Sequence, residues 1–165
     1  MSTVLNEVLS ANAGYARSFG SKSELALPPA RHFAILTCMD ARLDPAKYAG
    51  LSEGDAHVIR NAGGVITADA LRSLAISQRL LGTTEIILIH HTGCGMLTFT
   101  DDEFKGAIER EVGVRPQWAA EAFADLDADV RQSIRRVQAD PFIPAKDSVR
   151  GFVYEVETGK LREVR

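Results

Sequence analysis

The sequence is short of most features that would point to a compartment or a polymeric partner. Only two cysteines occur in 165 residues, Cys38 and Cys94, so no disulfide framework holds the chain together. Neither sign of charge dominates: 19 basic against 22 acidic side chains leave a formal net charge of −3, with the acidic excess confined to residues 101–165. A nucleic-acid partner is therefore not expected. No apolar run approaches the ~20 residues that cross a bilayer, so no membrane partner is expected either. The stretch from Met1 to Val8 has an early acid at Glu7 and no apolar segment of signal length, which makes a cytoplasmic location with reduced thiols the expectation. Internal repeats and low-complexity segments are also lacking.

Apolar residues are plentiful, at 45%, enough for one ordinary core in a chain of this length. Residues 1–20 read as a helix ending at Gly20, and a polar connector leads to Pro28-Pro29. The expected organisation is an N-terminal helical arm and linker over 1–27 and a single α/β domain over 28–165. Three short apolar runs, His32–Cys38, Ala56–Arg60 and Glu85–His90, have the form of strands buried on both faces. Between the second and third, Thr67 caps a helix that carries Leu71, Leu74 and Leu81 and stops at Gly82. That is a βαβ unit, for which parallel strands and a right-handed crossover are expected, and it brings Cys38 and His90-His91 to one edge of the sheet. Thr100-Asp101-Asp102-Glu103 is a capping box opening another helix, its acids suiting a helix N-terminus. A longer helix carries Leu126, Val130, Ile134 and Val137 and ends before Asp140-Pro141. Phe152–Val156, a Thr158-Gly159 turn and Leu161–Val164 predict a terminal strand or hairpin.

Both cysteines fall at the C-terminal ends of predicted strands, where open α/β sheets place their sites. Around them stand Cys38-Met39-Asp40-Ala41-Arg42 and His90-His91-Thr92-Gly93-Cys94. Two thiolates and one imidazole make a zinc ligand set, and either histidine is close enough in sequence to Cys94 to share an ion with it. Three protein ligands leave a fourth position for water, substrate or a carboxylate. Asp40 is the obvious carboxylate, side by side with Cys38 on a strand leaving the sheet, and Arg42 follows at the same period to hold it by a bidentate pair. Plainer readings exist for each residue taken alone: two buried apolar thiols, a strand-end ion pair, a hydrogen-bonded core histidine at His57. The conjunction of the two motifs outweighs them. Gly63-Gly64 matches no phosphate-loop pattern and reads as a tight turn beside the site.

The C-x-D-x-R and H-x-x-C motifs, with Arg60-Asn61-Ala62-Gly63-Gly64 between them, resemble the β-class carbonic anhydrases, most of all the short bacterial members, over roughly residues 30 to 165. The resemblance implies that Cys38, His91 and Cys94 hold one Zn2+ per chain; the three-residue gap to Cys94 and the strand-terminal position make His90 a packed or hydrogen-bonded neighbour. It implies that Asp40 and Arg42 form a catalytic, gating dyad, Asp40 becoming a fourth ligand in a closed state. The fold implied is α/β, a mostly parallel four- to five-stranded sheet flanked by helices, with the N-terminal arm lying across a partner in a homodimer or higher homo-oligomer. The implied reaction is reversible hydration of carbon dioxide to bicarbonate and a proton by zinc-bound hydroxide. Two alternatives use the same scaffold. One is a hydrolase of carbonyl sulfide or carbon disulfide, distinguished by pocket walls expected at Gly63, Gly64, Val65 and Ile66. The other is a non-catalytic zinc- or bicarbonate-binding regulator closed by Asp40. Compared with the plant-type pattern, Leu43 to Gly50 offers no glutamine for bicarbonate, and Gly93 stands where related chains often carry a larger polar residue.

Overall fold

The computed structural model describes residues 3–165. Met1 and Ser2, where the expected arm begins, lie outside the described residues. The three apolar runs form β1 (Phe33–Cys38), β2 (His57–Asn61) and β3 (Glu85–His91), and two further strands, β4 (Val149–Tyr154) and β5 (Leu161–Val164), complete a five-stranded sheet in the order β2-β1-β3-β4-β5. The first four strands run parallel, and β5 returns antiparallel along β4. β1, flanked by β2 and β3, is buried at all six positions, which is why it reads as a continuous apolar run without alternation. Helix α3 (Ala68–Arg79) carries the chain from β2 over β1 to β3, and helices α4 (Asp101–Val112) and α5 (Leu126–Ala139) lead from β3 to β4. A short helix, α2 (Pro45–Tyr48), follows β1.

The side chains divide by period two. Ala34, Leu36, Ile86 and Leu88 face one core with Ala70 and Leu74 of α3 and Val137 of α5, whereas Phe33, Ile35 and Ile89 face the other with Tyr48, Phe152 and Tyr154. Thr67 caps α3 by accepting from the Ala70 amide at 3.2 Å, Asp125 caps α5 by accepting from the Ala128 amide at 2.8 Å, and the capping box at Thr100 and Glu103 closes in both directions.

The terminal hairpin forms, with a shift. β4 starts at Val149 instead of Phe152 and ends at Tyr154, because Ile86↔Val149 through His91↔Tyr154 pair in parallel with β3 along the whole strand. Glu155 and Val156, expected in the strand, lead into the turn, where the Glu155 amide donates to Lys160 at 2.9 Å. Gly151 hid this start by breaking the apolar run, and packing explains it: a Cβ there would stand 2.3 Å from Val130 Cγ1 and 2.9 Å from Ile134 Cδ1 of α5. Gly151→Ala should therefore cost about 1–3 kcal/mol by overpacking, read as a lowered urea midpoint with unchanged slope. A midpoint equal to the parent's would mean that α5 can back away freely.

The expected N-terminal helix spans Thr3–Arg17 as α1, followed by a short turn at Gly20–Glu24, and none of its residues is buried. Val4, Leu5, Val8 and Leu9 are exposed on it, and Tyr15 and Lys22 tie this region to the domain through Glu53 at 2.7 Å and 3.0 Å. No helix among the described residues is long and apolar enough to cross a membrane.

Candidate metal centre

The C-terminal ends of β1 and β3 and the turn after β3 converge on three side chains. Cys38 ends β1, His91 ends β3, and Cys94 enters the short turn Gly95–Leu97. One donor atom from each lies within 4.8 Å of the others, and all three residues are buried. His91 Nδ1 is 2.9 Å from the Thr92 carbonyl, so Nδ1–H is the donor there, and Nε2 has no hydrogen-bond partner in the protein. A buried nitrogen left unpaired beside two thiols is costly unless something occupies its lone pair. Two sulfurs and one imidazole nitrogen are the donor chemistry that zinc prefers.

The electrostatics of the trio agree with that fit. The hydrogen bond from Cys94 drives the Cys38 thiol well below its ordinary pKa despite burial, while Cys94, which keeps the shared proton and is itself buried, is driven up. Burial opposes charge on His91, but the Cys38 sulfur, the Thr92 carbonyl and the Asp40 carboxylate outweigh it and raise its pKa. Protons shared in this way are the ones a bound cation displaces.

Asp40 stands next to the trio but outside it, with Oδ2 at 3.7 Å from His91 Nε2. Both of its oxygens are engaged by Arg42: Oδ1 by Nε and the backbone amide, each at 2.9 Å, and Oδ2 by the second guanidinium nitrogen at 2.7 Å. This side-chain pair, helped by the backbone amide, holds the Asp40 carboxyl below the usual carboxylate range. Arg42 also donates to the Gly93 carbonyl at 2.9 Å, tying the carboxylate to the turn that carries Cys94.

His90 points elsewhere. Its ring is fully buried, its Nε2 is 2.7 Å from Asp129 Oδ2 on α5, and it stacks on Phe123 with centroids 5.4 Å apart. His57 is bound to Ser77 Oγ through Nδ1 at 2.7 Å. Of the four expected pocket residues, Val65 lines an apolar cavity of about 440 Å³ together with Met39, Asn61 and Met96. Ile66 does not: it packs in the core against Leu36, Ala70 and Val137, because the chain turns inward before α3. Gly63 and Gly64 are buried beneath the site. At Gly64, with φ of 68°, a Cβ would sit 2.8 Å from the Cys38 amide nitrogen, so the loop touches the ligand strand only as glycine.

Several contributors carry no local signal. Arg60 donates to the carbonyls of Cys38 at 3.0 Å and Asp40 at 2.8 Å, gripping the backbone between the first thiol and the carboxylate. Thr92 Oγ1 donates to Glu157 at 3.0 Å and accepts from the Val156 amide at 3.0 Å, which anchors the His91 turn to the terminal hairpin. Arg60 sits in the segment quoted above, yet only its contacts reveal its role.

Comparison with known proteins agrees with this geometry. A family model described as carbonic anhydrase matches residues 33–161. The beta-carbonic anhydrase 1 of Mycobacterium tuberculosis is 59% identical over 162 residues, covering 98% of each chain. A carbon disulfide hydrolase of Saccharolobus solfataricus is 38% identical over 162 residues, covering 83% of this chain and 79% of that one. A solved carbonic anhydrase from Streptococcus mutans, 40% identical, superposes with a TM-score of 0.93 over 100% of this chain and 99% of that chain.

Proposed function

The chain belongs to the β-carbonic anhydrase family, and from that premise we propose that it catalyses the reversible hydration of carbon dioxide, with zinc held by Cys38, His91 and Cys94. The observation that carries this reading is the buried, unpaired Nε2 of His91 beside two buried thiols, its tautomer fixed by the Thr92 carbonyl. Zinc, when bound, supplies Lewis acidity that makes water a nucleophile near neutral pH, as in the family's better-known namesakes of another class.

The protein's part is orientation. Asp40, acting as an acceptor because Arg42 keeps it ionised, takes the hydrogen bond of the attacking oxygen at Oδ2 and turns its free lone pair toward the substrate carbon. Because both Asp40 oxygens are engaged by Arg42, closing the site with Asp40 would require breaking that bidentate pair, and this favours an enzyme over a permanently closed regulator. Carbon dioxide is small and uncharged, so the apolar cavity bounded by Met39, Val65 and Met96 suits it and no charged funnel is required. Carbonyl sulfide and carbon disulfide are a second reading, favoured by the same apolar wall and by the hydrolase relative.

Protein purified without chelator should contain one zinc per chain and hydrate carbon dioxide in a stopped-flow indicator assay. Sulfide release from carbonyl sulfide and from carbon disulfide, measured beside it, decides between the two readings. Metal-free protein, or zinc-loaded protein inactive on every substrate, would overturn the proposal. The exposed apolar residues of α1 support a homo-oligomer as the working unit, which sedimentation of the same preparation measures.

A further inference from the structure

Residues 113–125, between α4 and α5, have no regular secondary structure, yet one carboxylate holds them in place. Asp101, the first residue of α4, accepts from the Ala120 amide at 2.8 Å and the Glu121 amide at 3.2 Å through Oδ2, and from the Ala122 amide at 2.8 Å through Oδ1. An acid expected to serve only its own helix thus serves the loop. The gripped turn contains Glu121 at φ of 62°, a left-handed conformation that residues with a Cβ disfavour. Glu121 in turn pairs with Arg136 at 2.9 Å, and Arg136 donates to the Ile66 carbonyl at 3.0 Å. Burial works against the Asp101 charge, but the three amides more than offset it and hold its pKa down.

The gripped segment has two ends: one reaches the apolar cavity and the other the cluster that holds both cysteines, and Val65 and Met96 belong to both. Trp118, Ala119 and Ala120 line the 440 Å³ cavity together with Val65 and Met96. Just beyond the grip, Phe123 donates its amide to the Met96 carbonyl at 3.2 Å and packs in the same cluster as Cys38 and Cys94. We propose that Asp101 is a positioning residue for the substrate: its carboxylate fixes residues 118–123 as the outer wall of the apolar cavity beside the thiol and imidazole group. This rests on the reading of that cavity as the place where carbon dioxide binds. The role is separate from the metal, because Asp101 touches none of the three donors.

Asp101→Asn in the zinc-loaded enzyme tests it, since asparagine keeps the shape but replaces one acceptor oxygen with an NH2 that faces amide N–H groups. Trp118 is the sole tryptophan, so its fluorescence reports this loop alone. Acrylamide quenching of Trp118 should increase, and amide exchange at Ala120 and Ala122 should speed up by about tenfold or more. Zinc content should stay at one per chain, and KM for carbon dioxide should rise about three- to tenfold with kcat within about twofold. Unchanged quenching and exchange would overturn the grip. A loosened loop with unchanged KM, or an equal fall in kcat, would overturn the positioning role. Should the variant fail to fold, the parent enzyme decides: the Ala120 and Ala122 amides must exchange more than about tenfold slower than those of Gln117–Ala119, and equal rates sink the proposal. A parent without hydration activity removes the functional reading itself, whereas intact hydration with an ungripped loop removes only the role of Asp101.

Discussion

Replacing His91 with alanine is expected to empty the metal centre and abolish hydration of carbon dioxide, whereas replacing His90 leaves the metal bound. Structural zinc sites bind with apparent free energies of roughly 10–16 kcal/mol, so losing one of three protein ligands should cost about 3–5 kcal/mol, a loss of affinity on the order of 10²–10⁴-fold. The remaining thiols of Cys38 and Cys94 would then fall back on sharing a proton. His90→Ala removes a buried ring and leaves Asp129 without its partner, so about 2–4 kcal/mol of stability should go, seen as a lower melting temperature. Zinc analysis after gel filtration, together with the hydration assay, reads both variants. Full zinc content in His91→Ala would reject the ligand assignment, and a folded His90→Ala lacking zinc would transfer it to His90.

This pair of variants marks where the sequence stopped being legible. The H-x-x-C turn and the two strand ends are plain from local pattern, because continuous apolar runs and a capped crossover helix leave few topologies. The choice between adjacent histidines is not, since it depends on pairing register. Thr37↔Ile89 places Cys38 level with His90, and alternation alone would bring those two together. The trio instead gathers at the last residues of β1 and β3 and in the turn that follows, where the chain leaves the sheet and the later histidine reaches the thiols. The resemblance to a family names His91, and on the residues alone only the longer gap to Cys94 and the strand-terminal position set His90 aside.

Contributors that act across the fold were hidden for the same reason. Arg60 and Asp40 are separated by 20 residues and Thr92 and Glu157 by 65, so their hydrogen bonds exist only once the sheet has aligned the loops. Asp101 shows the opposite failure: a residue with a sufficient local explanation, as a helix-starting acid, spends its carboxylate on a loop about twenty positions away. Ile66, one residue beyond Val65, packs in the core and does not line the 440 Å³ cavity, because the chain turns inward before α3.

Asp40→Asn carries the second large effect: zinc should stay at one per chain while turnover falls about 10²–10³-fold, within the range expected for losing a positioned proton acceptor. Asparagine fits the same space and can still accept at one atom, but it loses the charge that Arg42 holds and presents an NH2 where an acceptor is needed. The prediction depends on Asp40 standing outside the donor trio, 3.7 Å from His91 Nε2, with both oxygens on Arg42. Loss of zinc from a folded Asp40→Asn would make the carboxylate a ligand instead, and activity within about tenfold of the parent would remove it from the chemistry. Arg42→Gln separates contact from orientation. Arg42 touches the carboxylate and the Gly93 carbonyl but none of the three donors, so its loss should cost about tenfold less than the loss of Asp40 if the carboxylate meets the nucleophile and the guanidinium only aims it. Equal losses would mean that the two act as one unit, the carboxylate being useless at that position without the arginine that keeps it ionised and turned.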